Sequence, residues 1–419
     1  MDRIRIEGCR PLKGVVAIGG AKNAALPALA ATLLTDQPVR LGNLPDVVDI
    51  RTMQKLLAGL GAAIEAEVPA AVTVRIENLS QVEASYDLVR QMRASVLVLG
   101  PLVARSGRAR VSLPGGCAIG GRPIDLHLDA LRRMGAEIEI RHGYVEASCE
   151  RLIGADITFG GVTVTGTENI LMAACLARGR TVLRNCAREP EVVDLVGLLR
   201  AMGAEIRGEG TDVIEIEGKD RLEGADHDVI PDRIEAGTYV VAGALAGDGV
   251  TVAACNPSHL GALLGAVREA GAGVEIADDS VTVTRPARGL RSCEVRTAPY
   301  PGFPTDMQAQ FMALLTQAEG TGRIVEEIFE SRFMHALELR RMGARIRIEG
   351  NTAIVDGPTP LSGAEVIASD LRASACLVLA SLVARGSTII HRVYHLDRGY
   401  ERIEEKLRGL GAAVVREKE

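Results

Sequence analysis

The chain repeats one pattern six times along its 419 residues. Each copy ends with an amphipathic helix, a Gly-Ala pair and an alternating strand. A glycine at this point is typical of a helix C-terminus, because glycine adopts the left-handed backbone conformation without strain. The spacing predicts six structural units of about 70 residues each. The six glycines, at intervals of 74, 68, 68, 72 and 68 residues, are Gly61, Gly135, Gly203, Gly271, Gly343 and Gly411.

A second element recurs upstream of the Gly-Ala pairs: an apolar helix, a turn of small residues and a short strand. Examples are LMAACLARGRTVLRN at 171–185, VVAGALAGDGVTVAA at 240–254 and LVLASLVARGSTIIHR at 377–392. Helices that are apolar almost all round are expected to be buried on every side. A unit with two helices and several strands is too large for a solenoid repeat. The pattern therefore predicts an α/β protein of two globular domains, each with three repeats, with helices inside and sheets outside.

Composition excludes several classes of protein. With 47% hydrophobic and 24% charged residues the chain is globular rather than disordered, and a net charge of 48 − 54 = −6 argues against a broad nucleic-acid surface. The start, MDRIRIEG, has no apolar core, and the longest apolar runs (95–104 and 375–384) are about ten residues, whereas a membrane span needs about 20. We therefore expect no export signal and no membrane contact.

The eight cysteines contain no CxxC motif and no paired spacing. Without an export signal, free thiols in a reducing cytoplasm are the expectation, and neither a zinc site nor a disulfide framework is indicated. The predicted localisation is cytoplasmic.

Function on a repeat scaffold is expected where one copy departs from the others. From the small-residue turn to the Gly-Ala pair, five copies have 22 to 25 residues, but the second has 28, from Gly107 to Gly135. The extra residues fall in SLPGGCAIGGRP at 112–123, which places Cys117 in a loop rich in glycine and proline. A catalytic thiol needs access and a lowered pKa, which a nearby cation such as Arg122 favours. The alternative is an inert cysteine in a long turn.

The first copy opens with GGAKNAALP at 19–27, a glycine turn that leads into a helix. A helix N-terminus after such a turn suits an anion, and Lys22 would add a point charge beside Asn23. A P-loop is excluded, because GxxxxGK[ST] is absent. The alternative interpretation is a solvated lysine on the first turn of a helix.

Three later copies open their buried helix with an aspartate: Asp232, Asp306 and Asp370. Aspartate is a preferred N-cap, which needs no catalysis. It is also a group that can take a proton from a substrate hydroxyl. The spacing does not separate the two interpretations, although three prolines in RTAPYPGFPT at 296–305 suggest that Asp306 is held in one place.

Arginines recur at comparable places in the repeats. An arginine fork suits phosphate or carboxylate, so several at helix starts could hold a small polyanion. The alternative for each one is an ion pair at the surface. These residues are Arg93, Arg332, Arg372 and Arg398.

Taken together, these stretches resemble the bacterial UDP-N-acetylglucosamine 1-carboxyvinyltransferases, and the resemblance runs from end to end. It is carried by GGAKNAALP, LPGGCAIGGRPIDLH, NCAREPEVVD, RTAPYPGFPTDMQAQF, IFESRFMH, DLRASA and YHLDRGYERIEEKL. The family fold is an inside-out α/β barrel of two domains, each with three βαβαββ repeats, and its active site lies in the interdomain cleft. The resemblance implies one domain at residues 22–230 and a second that combines 1–21 with 231–419.

The resemblance also implies a reaction. The enolpyruvyl group of phosphoenolpyruvate passes to the 3-hydroxyl of UDP-N-acetylglucosamine by addition and elimination, and phosphate is released. This is the first committed step of peptidoglycan synthesis, so the expected partners are these two small molecules. No metal or organic cofactor is expected.

Individual residues acquire roles from the same resemblance. Cys117 is expected to donate a proton to the methylene carbon of phosphoenolpyruvate, and its presence implies alkylation by fosfomycin. Asp306 is expected to deprotonate the sugar hydroxyl, and Lys22 and Arg398 are placed with the catalytic residues. Those implied to hold phosphoenolpyruvate are Lys22, Asn23, Arg122 and Arg398. Those implied to contact the nucleotide sugar are Arg93, Arg122, Pro123, Ile124, Asp125, Leu126, Gly161, Val162, Thr163, Val164, Asp306 and Ile328. Arg332 and Asp370 are implied to be further cleft residues.

Two positions depart from the family pattern. Many members have SVGAT at the strand that contacts uridine, where this chain has TVTGT at 163–167. Tyr300 stands where histidine is common.

Two other functions fit parts of the sequence. An EPSP synthase would share the fold and the enolpyruvyl donor, but its typical PGSKSxxNR and GNAGT strings are absent here, and that enzyme lacks the cysteine loop. A catalytically inactive scaffold that binds a nucleotide sugar would be expected to lose at least one functional residue. Lys22, Cys117, Arg122, Asp306 and Arg398 are all present.

Overall fold

The structure, a computed structural model, describes residues 2–67, 70–79, 81–90, 92–113, 124–330 and 332–418. These residues form two compact units. One contains the described parts of 20–230, and the other contains the described parts of 1–19 together with 231–419. We refer to them as the 20–230 unit and the 231–419 unit. The domain boundaries implied by the resemblance, 22–230 and 1–21 with 231–419, stay a prediction.

The helices of the described residues are α1 Lys22–Ala31, α2 Val48–Gly59, α3 Tyr86–Val89, α4 Leu99–Ser106, α5 Asp125–Arg133, α6 Val164–Ala174, α7 Pro190–Ala201, α8 Arg233–Ala246, α9 Gly261–Glu269, α10 Gln308–Leu315, α11 His335–Arg341, α12 Ala373–Val383 and α13 Ile403–Gly409. Short 3₁₀ turns are formed by Thr32–Leu34, Arg93–Val98, Pro257–Leu260, Thr305–Met307 and Val393–Arg398.

The strands of the described residues are β1 Asp2–Glu7, β2 Leu12–Ala17, β3 Val39–Gly42, β4 Ala63–Glu67, β5 Ala71–Arg75, β6 Glu83–Ala84, β7 Arg108–Ser112, β8 Glu137–Arg141, β9 Tyr144–Ser148, β10 Asp156–Thr158, β11 Arg180–Arg184, β12 Glu205–Arg207, β13 Val213–Glu217, β14 Ala225–Asp228, β15 Gly247–Ala253, β16 Gly273–Ile276, β17 Ser280–Thr284, β18 Leu290–Arg291, β19 Glu294–Arg296, β20 Ala318–Val325, β21 Arg345–Glu349, β22 Thr352–Gly357, β23 Glu365–Ile367, β24 Ser387–His391 and β25 Ala413–Lys418.

Each unit contains three small sheets built to one plan. A strand that follows a buried helix, such as β11, pairs in parallel with a strand from another segment, here β10. On its other side it pairs antiparallel with a hairpin, here β13 and β12. The sheets of the 20–230 unit are β14-β3-β5-β4, β6-β7-β9-β8 and β10-β11-β13-β12. Those of the 231–419 unit are β16-β17-β15-β2, β18-β20-β22-β21 with β19 beside β20, and β23-β24-β1-β25.

The order of the strands closes each set of three repeats on itself. In the 20–230 unit the last strand, β14, pairs in parallel with β3 of the first repeat. In the 231–419 unit the N-terminal strand β1 lies between β24 and β25, and β2 pairs in parallel with β15. In both units, a strand that is distant in sequence therefore completes a sheet of another repeat.

The six repeat glycines have the backbone conformation that the sequence predicts. Their φ angles are +108°, +91°, +94°, +96°, +100° and +96° in chain order. Each follows an amphipathic helix, and five of them precede a hairpin whose strands pair with each other. The repeat prediction is confirmed at this level.

The apolar helices are buried along their lengths, as predicted. Every residue from 166 to 174 in α6, from 234 to 246 in α8 and from 373 to 382 in α12 is buried. Small side chains permit this close packing around the helix axis, and the sheets lie outside. Each unit has its own apolar core. Several buried charged groups lie where helices begin, among them Lys22, Asp232 and Arg372.

The two glycines around α9 give a matched test of the repeat cap. Gly265 lies inside the helix, and Gly271 lies just beyond it with a φ angle of +96°. A Cβ added at Gly265 would meet no atom within 4 Å. A Cβ added at Gly271 would meet only the Arg291 side chain, at 3.6 Å. We expect Gly265→Ala to raise the free energy of unfolding by about 0.5–1 kcal/mol, because alanine favours the helix. We expect Gly271→Ala to lower it by about 1 kcal/mol, because alanine is strained at positive φ. Urea unfolding measures both, and equal effects of the two variants would contradict the assignment of Gly271 as a cap.

Candidate active site

Lys22 is the first residue of α1 and follows a turn that requires glycine. A Cβ at Gly20 would overlap the carbonyl group of Asn43. The Lys22 side chain is only 9% exposed, and its Nζ lies 3.2 Å from Oδ2 of Asp49 on α2. Asn23, next on the helix, is half-buried. The interpretation of Lys22 as a solvated lysine is wrong, because its charge is held inside the 20–230 unit.

His127 is a functional candidate that the sequence analysis did not single out. Asn169 Oδ1 accepts a hydrogen bond from the Gly100 N–H at 2.6 Å, so Asn169 Nδ2 is the donor to Nδ1 of His127 at 3.0 Å. Nε2 of the ring then carries the proton and faces Thr165 Oγ1 at 3.4 Å. Burial, together with the charge of Arg93, lowers the pKa of His127 to about 4. The ring is therefore neutral near pH 7 and has a fixed tautomer.

Several residues predicted to contact the nucleotide sugar lie around His127. Arg93 begins a 3₁₀ turn and is close enough for its charge to act on the ring. Ile124 is buried just before α5, which begins with the exposed Asp125 and the half-buried Leu126. A Cβ at Gly160 would lie 3.8 Å from the Leu126 side chain. The structure therefore brings 124–126 and the 160–164 segment together within the 20–230 unit.

The TVTGT stretch is not a strand, so that expectation was wrong. Thr163 is the N-cap of α6, and its hydroxyl accepts the Gly166 N–H at 3.2 Å. Val164 is the first residue of the helix, and the bend before it contains Gly161 and the exposed Val162. Threonine is a preferred N-cap, which explains why this stretch begins a helix.

The three aspartates divide into two kinds. Oδ1 of Asp232 accepts the backbone N–H groups of Ile234 and Glu235 at 2.8 and 3.0 Å, and so caps α8. Oδ1 of Asp370 accepts the N–H groups at 372 and 373, at 3.0 and 2.8 Å, where α12 begins. These two positions fit the cap interpretation.

Asp306 is held differently. It lies in the 3₁₀ turn Thr305–Met307 before α10, and neither this turn nor α10 has a side-chain cap. Its Oδ1 instead receives Nη2 of Arg332 at 2.6 Å, and its Oδ2 lies 3.8 Å from Nε of Arg372. The side chain remains partly exposed, at 27%. A carboxylate fixed by side chains and still accessible is suited to accept a proton, so the cap interpretation is wrong at Asp306.

Arg332 and Arg372 are not surface residues, so the surface ion-pair interpretation is wrong for both. They are 6% and 2% exposed. Arg372 donates through Nη2 to Asp232 at 3.3 Å and through Nη1 to the carbonyl oxygen of Gly399 at 3.4 Å. The half-buried Arg398 precedes Gly399 at the end of a 3₁₀ turn. The segment that carries Arg398 is thus joined to the arginine that lies beside Asp306.

Three of the predicted site residues, Cys117, Arg122 and Pro123, lie outside the described residues. The seven described cysteines are free thiols. Burial raises the pKa of Cys175 and Cys186 to about 12 and that of Cys293 to about 11, so these thiols are not activated nucleophiles. In the described ranges, no group of three or more His, Cys, Asp or Glu side chains is arranged to hold a metal ion.

The sequence is similar to a family of enolpyruvyl transferases over most of its length. The profile of EPSP synthase (3-phosphoshikimate 1-carboxyvinyltransferase) matches residues 6–407. A UDP-N-acetylglucosamine 1-carboxyvinyltransferase from Koribacter versatilis (strain Ellin345) is 60% identical over 419 residues, which cover 99% of this chain and 96% of the relative. The chain belongs to the UDP-N-acetylglucosamine 1-carboxyvinyltransferase branch of the EPSP synthase family.

Solved structures of enolpyruvyl transferases share the fold of this carboxyvinyltransferase family member. The enolpyruvyl transferase NikO from Streptomyces tendae superposes with a TM-score of 0.90 at 29% identity, covering 99% of this chain and 98% of that one. An EPSP synthase from Acinetobacter baumannii has a TM-score of 0.76 at 20% identity, with both chains fully covered, and shows the fold alone. The predicted family and the inside-out α/β barrel fold with its three-repeat units are confirmed. Among the described residues, no helix combines the length and apolar character needed to cross a membrane.

The lowered pKa of His127 predicts a pH dependence of stability in this family member. The pKa of His127 is 6.5 in the unfolded state and about 4 in the folded state. Between these values the unfolded state binds more protons, so stability falls as the pH drops through this window. Between pH 7 and pH 5 we expect the wild type to lose about 2 kcal/mol more unfolding free energy than His127→Gln. Urea unfolding at the two pH values measures the difference. Equal losses in the two proteins would show that His127 is not buried as a neutral ring.

Proposed function

We propose that the chain transfers the enolpyruvyl group of phosphoenolpyruvate to the 3-hydroxyl of UDP-N-acetylglucosamine and releases phosphate. The observation that carries the proposal is the geometry of Asp306, a partly exposed carboxylate that caps no helix and is fixed by a buried arginine. The names of relatives as close as 60% identical support the choice of substrates.

The reaction needs a proton removed at one end and delivered at another. The sugar 3-oxygen forms a bond to C2 of phosphoenolpyruvate while its proton goes to a base and C3 gains a proton. Loss of a proton from C3 then restores the double bond as the C2–O bond to phosphate breaks. A general base within reach of the hydroxyl and a general acid near C3 are therefore required.

Asp306 is the base in this proposal. Arg332 holds Oδ1 at 2.6 Å, and the proposal assigns Oδ2, which lies 3.8 Å from Nε of Arg372, to the substrate hydroxyl. The nearby Arg372 side chain is held by a hydrogen bond to Asp232 in addition to its ion pair with Asp306. Two guanidinium groups therefore lie near the Asp306 carboxylate.

Phosphoenolpyruvate carries a phosphate and a carboxylate, and both need cationic partners. In the proposal Lys22, Arg122 and Arg398 supply them, and Asn23 adds an amide. The buried Lys22 is held by Asp49 at 3.2 Å, so its ammonium group is preorganised rather than mobile. Cys117 is the proton donor to C3, and its alkylation by fosfomycin is part of the same proposal.

The nucleotide sugar is assigned to the surroundings of His127. Arg93 is proposed to contact its phosphates, and the start of α6 with 161–164 its uracil-bearing end. The 122–126 segment and Ile328 complete the proposed contacts. The neutral imidazole of His127 adds no second positive charge beside Arg93. Its contacts with Thr165 and Asn169 hold those two side chains in place.

The biological setting forms part of the proposal. The reaction would be the first committed step of peptidoglycan synthesis, which links it to cell wall biogenesis, cell shape, the cell cycle and cell division. We propose a cytoplasmic enzyme without nucleic-acid or membrane partners that works without a metal or organic cofactor. Its two domains would span 22–230, and 1–21 with 231–419.

Replacement of Asp306 tests the proposal directly. Asp306→Asn keeps the size of the side chain and its contact with Arg332 but removes the basic oxygen. We expect phosphate release to fall by about 100- to 10,000-fold, the usual contribution of a general base. Calorimetric binding of UDP-N-acetylglucosamine and the melting temperature should stay near the wild-type values, because Asp306 caps no helix.

The exposed Asp278 provides a matched control, since Asp278→Asn makes the same chemical change in the same unit. That variant should release phosphate at the wild-type rate, and Cys117→Ala sets the background of the assay. Wild-type protein that releases no more phosphate than Cys117→Ala would overturn the proposed reaction. Full activity of Asp306→Asn would overturn the role of the carboxylate.

A further inference from the structure

Glu326 is a buried carboxylate with no role in the mechanism so far. It follows β20, is only 2% exposed, and forms no ion pair within the described part of the chain. Its charge is met by hydrogen bonds from two hydroxyls and two backbone N–H groups. A buried carboxylate is costly unless donors surround it, so an arrangement this complete fixes the groups that supply the donors.

One oxygen of Glu326 organises the turn that carries Ile328. Oε1 accepts the backbone N–H groups of Ile328 and Phe329 at 2.9 and 3.1 Å, and the hydroxyl of Thr297 at 2.9 Å. The same Thr297 oxygen accepts the N–H of Glu327 at 2.9 Å. Three successive backbone N–H groups are thus fixed around one carboxylate oxygen and its threonine partner.

The other oxygen reaches Asp306 through two side chains. Oε2 accepts the hydroxyl of Thr305 at 2.8 Å. A hydroxyl has one hydrogen, so the Thr305 oxygen is left as an acceptor, and Arg332 Nη1 donates to it at 2.7 Å. The other end of the same guanidinium, Nη2, holds Asp306 Oδ1 at 2.6 Å. Because the guanidinium is planar and rigid, fixing Nη1 also sets the position of Nη2.

The contacts of Oε1 form one arm of a hydrogen-bond network and those of Oε2 form the other, and both arms reach Arg332. Its guanidinium carbon lies 5.2 Å from the centre of the Phe329 ring, within the range of a cation–π contact. Phe329 is one of the residues whose N–H is held by Glu326. The position of Arg332 is therefore set from both sides by the same carboxylate.

We propose that Glu326 is a positioning residue of the transferase and serves both substrate binding and proton removal. One oxygen holds the turn that carries Ile328, and the other orients the Asp306 carboxylate through Thr305 and Arg332. This inference rests on the proposed function, because Asp306 and Ile328 have their roles only there.

The chemistry of the site separates the two arms. In Glu326→Gln, an amide nitrogen replaces one oxygen. The N–H groups of Ile328 and Phe329 point at the Oε1 position and cannot accept a hydrogen bond, so the amide oxygen stays there and the nitrogen faces Thr305, whose hydroxyl is able to rotate. Thr305 then receives donors from two sides, and its contact with Arg332 is weakened. Thr305→Val removes the same arm from its other end, whereas Glu326→Ala removes both arms.

Steady-state kinetics of these variants test the inference. We expect Glu326→Gln and Thr305→Val each to lower kcat by about 10- to 100-fold, as a misplaced reacting group does, with KM for UDP-N-acetylglucosamine within about twofold. The kcat of the double variant should be no lower than that of the more impaired single variant, because both changes act through one hydroxyl. Glu326→Ala should in addition raise KM for UDP-N-acetylglucosamine about tenfold, because the N–H groups of the turn lose their acceptor.

The matched control is Glu319→Gln, an exposed glutamate at the start of the same strand, which should leave both constants unchanged. Losses that multiply in the double variant, or a kcat in Thr305→Val equal to that of the wild type, would overturn the inference while the proposed function stands. An inactive wild type would overturn the proposed function and this inference with it. If Glu326→Ala fails to fold, the comparison of Thr305→Val with Glu326→Gln still decides.

Discussion

Burial of helices that have no polar face is the constraint on which the rest of the structure depends. Most turns of α6, α8 and α12 are enclosed on all sides, so their packing relies on small and aliphatic side chains. An unsatisfied polar atom is costly along such helices. The places left for charged groups are the helix starts, where backbone N–H groups lack partners in the helix.

This constraint explains why candidate functional groups and structural caps occupy similar positions. Asp232 uses one oxygen for the start of α8 and offers the other to Arg372. Arg372 then extends beside Asp306, which itself has no cap to serve. A structural aspartate in one repeat thus places a cation beside a candidate base in another. The aspartate that keeps the repeated cap role holds the arginine, and the aspartate that departs from this role is the candidate base.

Much of the fold could be predicted from the sequence because its signals are local. A glycine after an amphipathic helix implies a positive φ angle, and all six repeat glycines have one. A helix without a polar face implies burial on every side. The start of α6 was misjudged because the family resemblance placed the TVTGT stretch on a strand. Its helix depends on the cap that Thr163 makes, which composition does not reveal.

The candidate site was less accessible to sequence reasoning, for a physical reason. Whether an aspartate caps a helix or faces a substrate depends on side chains that are distant in sequence, such as Arg332 for Asp306. Glu326 and His127 were overlooked because the sequence marks neither as buried, although His127 lies in the copy with the unusual spacing. Their importance arises from burial combined with a complete set of hydrogen-bond partners, and both properties exist only in the folded chain.

The central claim concerns the acceptor of the enolpyruvyl group, and the mass of the product tests it most directly. The protein is incubated with phosphoenolpyruvate and with either UDP-N-acetylglucosamine or 3-phosphoshikimate, and each acceptor is analysed by mass spectrometry. The account predicts that the nucleotide sugar gains the mass of one enolpyruvyl group and that 3-phosphoshikimate is unchanged. Modification of 3-phosphoshikimate alone, or of neither acceptor, would contradict it.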